Sequence, residues 1–170
     1  HHQDDLFENF FIRMFRGSGL KGLVSLDLKS KISNRYLIRP LLNQKKEDLE
    51  FLSNNVFNFY VQDPSNKNEK YLRVKIRKLL EILQKNGLDR IKFKNTIKNL
   101  KYSNQVVKFY VDENLKNNVS FLKNKLVLND HFFKQPYEVV FRSLSETIKI
   151  IGNKFYSVRG KKIDRLIDDI

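Results

Sequence analysis

Residues 1–16 read HHQDDLFENFFIRMFR, and the organisation expected of the whole chain grows from this stretch. Leu6, Phe7, Phe10, Phe11, Met14 and Phe15 recur at intervals of three and four, which predicts one wide apolar stripe on a helix. Asp4 or Asp5 is expected to cap it, and Gly17-Ser18-Gly19 to stop it in a compact turn. A helix that starts with the first residues is expected to continue a chain upstream, where the partner for its stripe would lie.

Working outward, Gly22 to Leu28 and Tyr36 to Leu42 are short apolar segments separated by turn residues. RYLIRPLL (35–42) reads as a buried strand ending at Pro40. A helix is expected over Lys45 to Asn54, then a strand in which Phe57, Phe59 and Val61 alternate with Asn58, Tyr60 and Gln62, halted by the turn Asp63-Pro64-Ser65-Asn66. Strand, helix, strand suggests part of an α/β sheet. From Leu72 the apolar positions 76, 79, 80 and 83 return to helical spacing and end at Asn86-Gly87, where a domain boundary is placed. A long helix is predicted through Phe93, Ile97, Leu100, Val107, Val111 and Leu115, then short β runs over 118–129. A helix from Pro136 to Ile151 closed by Gly152 follows, and a last one begins near Lys161.

Composition narrows the function classes. The 33 Lys and Arg against 19 Asp and Glu leave +14 in 170 residues, which favours polyanionic partners, nucleic acid first. Yet 23 Lys, 18 Asn and no Ala are also what an AT-rich coding sequence produces, so charge alone does not decide. With Cys 0, disulfides, thiolate zinc sites and thiol catalysis are excluded. The charge-free run Phe51 to Gln62 is too short and too rich in Asn to span a bilayer, so no membrane partner is expected and a soluble, cytoplasmic protein is. Oligomeric state is not legible, and a homodimer stays open.

Several residues could carry chemistry. The opening histidines read as the end of an affinity tag, as metal ligands with Asp, or as part of a site. Glu8 changes the balance: it lies three residues from Asp5 and four from Asp4, so carboxylates gather on one helix face, suited to an ammonium group or Mg²⁺. Arg16 with the backbone N–H groups of Gly17, Ser18 and Gly19 could hold a phosphate, and Arg39 precedes Pro40 where α/β sheets hold ligands. Asp63 or Ser65 is expected to satisfy the next helix's N–H groups. Arg73 and Arg77 share a face as a clamp for carboxylate or phosphate, with ordinary helix solvation as the alternative. Arg90, Lys92, Lys94, Lys98 and Lys101 interleave with apolar positions and could follow a phosphate backbone, unless they form a merely solvated face.

Taken in order, HHQDDLFEN, RGSGLKGL, RPLL, DPSN and YLRVKIRKLL resemble the motifs of the bacterial tRNA(Ile)-lysidine synthases, ATP-dependent ligases of the PP-loop family. The resemblance is close over residues 1 to about 88 and looser beyond, where FRSLSETIKIIGNKFYSVRGKKIDRL is similar to a helix, Gly turn and Arg-bearing segment of that family's middle domain. It implies an α/β fold, with 1–88 as the C-terminal part of a Rossmann-like PP-loop ATP pyrophosphatase domain and 89–170 as a mostly helical tRNA-binding domain. The implied reaction joins L-lysine to C2 of the wobble cytidine of tRNA(Ile) with a CAU anticodon, using ATP and Mg²⁺. By motif match, His1, His2 and Asp4 would lie near the nucleotide and Mg²⁺, with Asp4 as the metal ligand. Asp5 and Glu8 would bind the lysine, and Arg73 with Arg77 would reach its carboxylate or the developing phosphate charge. Arg39, Lys75, Lys78 and the cations from Arg90 to Lys101 would hold the tRNA.

The chain departs from the family pattern at Asn9, at Val74-Lys75 and at Ser157-Val158. It does not contain the Ser-Gly-Gly-Asp-Ser type loop that grips ATP, so the 170 residues alone are expected to bind tRNA weakly and catalyse nothing. A PP-loop tRNA thiolation enzyme is the nearer alternative, disfavoured because that chemistry generally employs Cys pairs. A non-catalytic RNA-binding module is the other, supported by charge alone.

Overall fold

The computed structural model describes residues 1–32, 35–61, 63–123, 125–153 and 158–170, with the side chains of 32, 65 and 67 outside that description. The elements in order are α1 (Gln3–Phe15), α2 (Leu20–Leu23), β1 (Lys29–Ile32), β2 (Arg35–Ile38) and α3 (Lys46–Phe57), then a 3-10 turn (Pro64–Lys67) and α4 (Leu72–Lys85). They continue with α5 (Arg90–Asn118), β3 (Val119–Leu122), β4 (Lys125–Leu128), α6 (Asp130–Phe133), α7 (Tyr137–Ile151) and α8 (Gly160–Asp168). The chain divides into two compact units, His1–Lys101 and Tyr102–Ile170. That division falls inside α5, beyond the 88/89 boundary placed from the Asn86-Gly87 turn, because Phe93 and Ile97 pack into the first unit's core.

In the first unit, α1 packs on α4 and α2. Leu6, Phe7 and Phe11 join Leu26, Leu42, Ile76, Leu80 and Ile97 in one apolar cluster. Phe93 is its aromatic centre, with ring centroids 5.1, 5.2 and 5.5 Å from Phe7, Phe10 and Phe11. The α1 stripe therefore finds partners within the chain, although Met14 and Phe15 at its end stay exposed. Gly17 takes φ 66°, where a side chain would be strained; its N–H donates to Met14 O at 2.9 Å and that of Ser18 to Arg13 O at 3.0 Å, closing α1 in a Schellman turn. The same device closes α4, with Gly87 at φ 101° and Leu88 N–H donating to Leu83 O at 2.8 Å.

Helices with small strands are consistent with the expected α/β class, though not with one continuous sheet among the described residues. Among the described residues the strands form two separate two-stranded antiparallel sheets, β1 with β2 and β3 with β4. The RYLI segment is not a buried strand: β2 lies opposite β1 in the register Lys29 to Ile38, and all four of its residues are exposed. Among the described residues nothing covers β2, and the apolar residue of the run that reaches the core is Leu42, past Pro40. Nor does the alternation from Phe57 build a strand. Phe57 ends α3, Asn58 closes it in the left-handed region at φ 58°, and residues 59–61 pair with no strand among the described residues; Gln62 lies outside them. Mixed helices with small strands are what the chain forms.

The second unit is mainly helical. Val119, Phe132, Val140, Leu144 and Ile163 make its core, and α7 packs on α8 and β4. Buried Asn114 donates to Ser143 Oγ at 3.1 Å, and Arg142 Nη1 donates to Asn104 Oδ1 at 2.6 Å, which gives these polar groups inside the unit partners. The helices expected over 136–151 and from about 161 are α7 and α8, whereas Ser157 of the quoted family segment lies outside the described residues.

Candidate functional site

The acidic turn opens α1. His2, not an aspartate, occupies the position before the helix, and Asp5 reaches back so that its Oδ2 accepts from His2 N–H at 3.0 Å. Asp4 and Asp5 in the first turn are also favoured by the positive end of the helix. The His1 and His2 rings stand 3.4 and 3.8 Å from Asp5 Oδ2. Burial, outweighing the attraction of Asp5 and Glu8, lowers the His2 pKa from its ordinary 6.5, which keeps the ring neutral near pH 7. Its Nδ1 is buried and has no hydrogen-bond partner among the described residues.

One turn further on, the Glu8 side chain is 1% exposed, and a carboxylate so deeply buried must be paired. Because α1 packs on α4, two arginines supply the pairing. Arg77 Nε donates to Glu8 Oε1 at 2.5 Å and its Nη2 to Oε2 at 3.5 Å. Arg73, one turn away on the same face, brings Nε to 3.0 Å from Glu8 Oε2 and Nη2 to 4.0 Å from Asp5 Oδ1. Arg77 Nη1 also donates to Asn66 Oδ1 at 2.9 Å. Asp5, Glu8, Arg73 and Arg77 thus converge, as the sequence reading expected.

Two clefts flank this turn. One of about 510 Å³ is lined by His2, Glu50, Tyr60, Asp63, Asn66 and Arg77. The other, of about 740 Å³, is rimmed by Lys45, Arg90, Lys94, Lys98 and Lys101, with Asp27 opposite. Within it Lys101 pairs with Asp27 at 2.9 Å, and Arg90 pairs with Asp4 while lying 5.0 Å over the Phe7 ring.

The remaining expected residues divide. Arg16, Gly17, Ser18 and Gly19 sit at the far end of the 13-residue α1, roughly 20 Å from the histidines. The N–H groups of Arg16, Gly17 and Ser18 are not free for a phosphate, since the Schellman turn directs them to Arg13 and Met14 carbonyls. Arg39 donates to Asp27 O and Ser30 Oγ, both at 2.9 Å, bracing the β1–β2 hairpin. Lys78 pairs with Glu69, and Lys75 and Lys92 are exposed. Asp63 and Ser65 do not cap α4, whose preceding residue is Tyr71; Asp63 O instead accepts from Asn66 N–H at 3.0 Å, and the Ser65 side chain lies outside the described residues. Asp4 lies beside the Arg90 guanidinium, yet its Oδ1 is buried with no hydrogen-bond partner among the described residues, and no three His, Asp or Glu among those residues group as metal ligands. Sequence reasoning missed Asn66 as a partner of Arg77, though an amide in the turn before an arginine-bearing helix was a usable signal.

Residues 1–84 match the family described as PP-loop domain. The full chain is similar to a tRNA(Ile)-lysidine synthase of Wolbachia sp. subsp. Brugia malayi (strain TRS), at 30% identity over 100% of this chain and 40% of that protein. It is similar to one of Bacillus cereus at 32% identity, over 99% of this chain and 37% of that protein. One of Orientia tsutsugamushi (strain Boryong) is 46% identical over 48% of this chain and 18% of its own length. The chain therefore spans about two fifths, at most, of these relatives' length.

Proposed function

We propose that the chain, whose residues 1–84 match the PP-loop domain family, is part of a tRNA(Ile)-lysidine synthase. The reaction is the ATP-dependent ligation of L-lysine to C2 of the wobble cytidine in tRNA(Ile) with a CAU anticodon, changing its decoding from Met to Ile. The observation that carries this reading is the convergence of Asp5 and Glu8 with Arg73 and Arg77. Such an arrangement places a negative and a positive recognition element side by side, as a zwitterionic amino acid requires.

ATP supplies the adenylyl group that turns the cytidine C2 oxygen into a leaving group. His2 fits a nucleotide contact, since its neutral ring has a buried nitrogen in want of a partner. Asp4, whose Oδ1 is buried beside Arg90 without a hydrogen bond, would be the oxygen that this chain offers to Mg²⁺. Asp5, nearer the surface than Glu8, attracts the lysine ammonium and accepts the proton that the amine sheds before attacking C2. Glu8, with both oxygens occupied by guanidinium groups, orients the arginines instead. Arg73, 46% exposed at its side chain, meets the lysine carboxylate or the charge that grows as AMP departs.

The cleft carrying Lys45, Arg90, Lys94 and Lys98 supports a path for the tRNA phosphates. A wobble base in a single-stranded loop turns out of its stack at small cost, so the chemistry needs no duplex opening. An Arg- and Lys-rich rim alone would suit any RNA-binding module; the acid–arginine convergence favours the ligase. The test is AMP release by the complete protein with a tRNA transcript. Dependence on L-lysine is expected, and weaker lysine use by Asp5→Asn with cytidine adenylation retained. A requirement for a sulfur donor would mark a thiolation enzyme, and no AMP at all a binding module.

A further inference from the structure

Arg73 and Arg77 reach one carboxylate from adjacent turns of α4, yet they are held differently. Every nitrogen of the Arg77 guanidinium has an acceptor: Nε and Nη2 on the two oxygens of Glu8, and Nη1 on Asn66 Oδ1 at 2.9 Å. Arg73 has a single close contact among the described residues, Nε to Glu8 Oε2 at 3.0 Å, and its approach to Asp5 at 4.0 Å exceeds hydrogen-bond range. A planar fork tied at both ends cannot turn toward a ligand without breaking charge-assisted bonds, whereas one tied at its inner nitrogen presents its outer donors.

We infer that Asn66 is a positioning residue: with Glu8 it locks Arg77 as a strut, and the strut sets Glu8 so that Arg73 is the arginine offered to an incoming carboxylate or phosphate. Asn66 comes from the turn before α4 and Glu8 from α1, so the strut joins three elements. Its rigidity rests on geometry alone; that the anion is the lysine carboxylate rests on the lysidine-synthase reading.

Arginine Nε–Hε NMR signals of the 170-residue chain separate the two statements. In Asn66→Ala the Arg77 signal is expected to shift and exchange faster with water. Asn66→Asp keeps the acceptor oxygen and is expected to restore both. Titration with L-lysine, and with acetate as a bare carboxylate probe, is expected to move the Arg73 signal and leave that of Arg77 in place. In the complete protein, Asn66→Ala should raise KM for lysine about 5-fold, with kcat changed less than about 2-fold, the pattern of lost uniform binding. An Arg77 signal indifferent to Asn66→Ala, or one that follows acetate in place of Arg73, overturns the proposal. If Asn66→Ala releases Arg77 while L-lysine moves neither arginine and acetate still moves Arg73, the positioning role stands and the lysine reading fails.

Discussion

Arg77 and Glu8 lie 69 positions apart in the chain and meet at 2.5 Å, Nε to Oε1. The acid is almost wholly enclosed, while the arginine beside it keeps about a third of its side chain in solvent. A buried anion held by partly hydrated cations is costly to neutralise and easy to weaken from the arginine side.

Glu8→Gln leaves two guanidinium groups facing a neutral amide. Loss of a buried partner in a fully enclosed pair costs about 3–5 kcal/mol, but both arginines here touch water, so about 2–3 kcal/mol is expected. Urea unfolding of the 170-residue chain measures it. Arg77→Ala should cost more than Arg73→Ala, because it also frees Asn66.

Phe93→Ala removes the ring that touches Phe7, Phe10 and Phe11 at once. Phe93 is only partly buried, which puts the expected loss near the low end for Phe truncation, about 3 kcal/mol. The thermal unfolding midpoint should fall accordingly, and an unchanged midpoint would contradict the packing described.

His2 gives a pH signature. Its folded pKa lies below 6.5, so between that lower value and 6.5 the unfolded chain binds more protons than the folded one, and stability rises with pH. Stability should therefore be full above pH 6.5 and decline on acidification through this window. His2→Gln should flatten that part of the profile, as read from urea midpoints across mildly acidic buffers.

Tyr137 marks the second unit. Its hydroxyl donates to Asp164 Oδ1 at 2.6 Å, and this bond, with the neighbouring negative charge, pushes its pKa up to about 12. The contribution is present below the ordinary value of 10.0 and is lost as pH rises through about 12. Tyrosinate absorbance should show one late-ionising ring that Tyr137→Phe abolishes.

Lys94→Ala with Lys98→Ala tests the basic cleft. If each lysine meets one phosphate, the slope of log K for tRNA against log salt should shrink by about 0.7–0.9 per contact. Filter binding over a range of salt reads it; an unaltered slope would remove this cleft from the RNA path.

Periodicity made α1, α4, α5, α7 and α8 legible, because apolar spacing of three and four is a property of one segment and survives whatever packs on it. The same spacing put Asp5 with Glu8, and Arg73 with Arg77, on shared faces. The RYLI run was misread for the complementary reason: strand propensity reports fitness for a pleated surface, not whether another layer covers it, and here none of the described residues buries β2.

What the primary structure determined, then, is which short-range partners share a helix face and that the first helix carries both the acids and the aromatic stripe. Only the tertiary structure decided that Phe93 completes that stripe, that Glu8 is enclosed between two arginines, and that Asn66 ties down one of them and not the other. Contacts between elements tens of residues apart depend on how side chains from separate segments fill a common volume at close-packed density, and no local spacing rule encodes that fit.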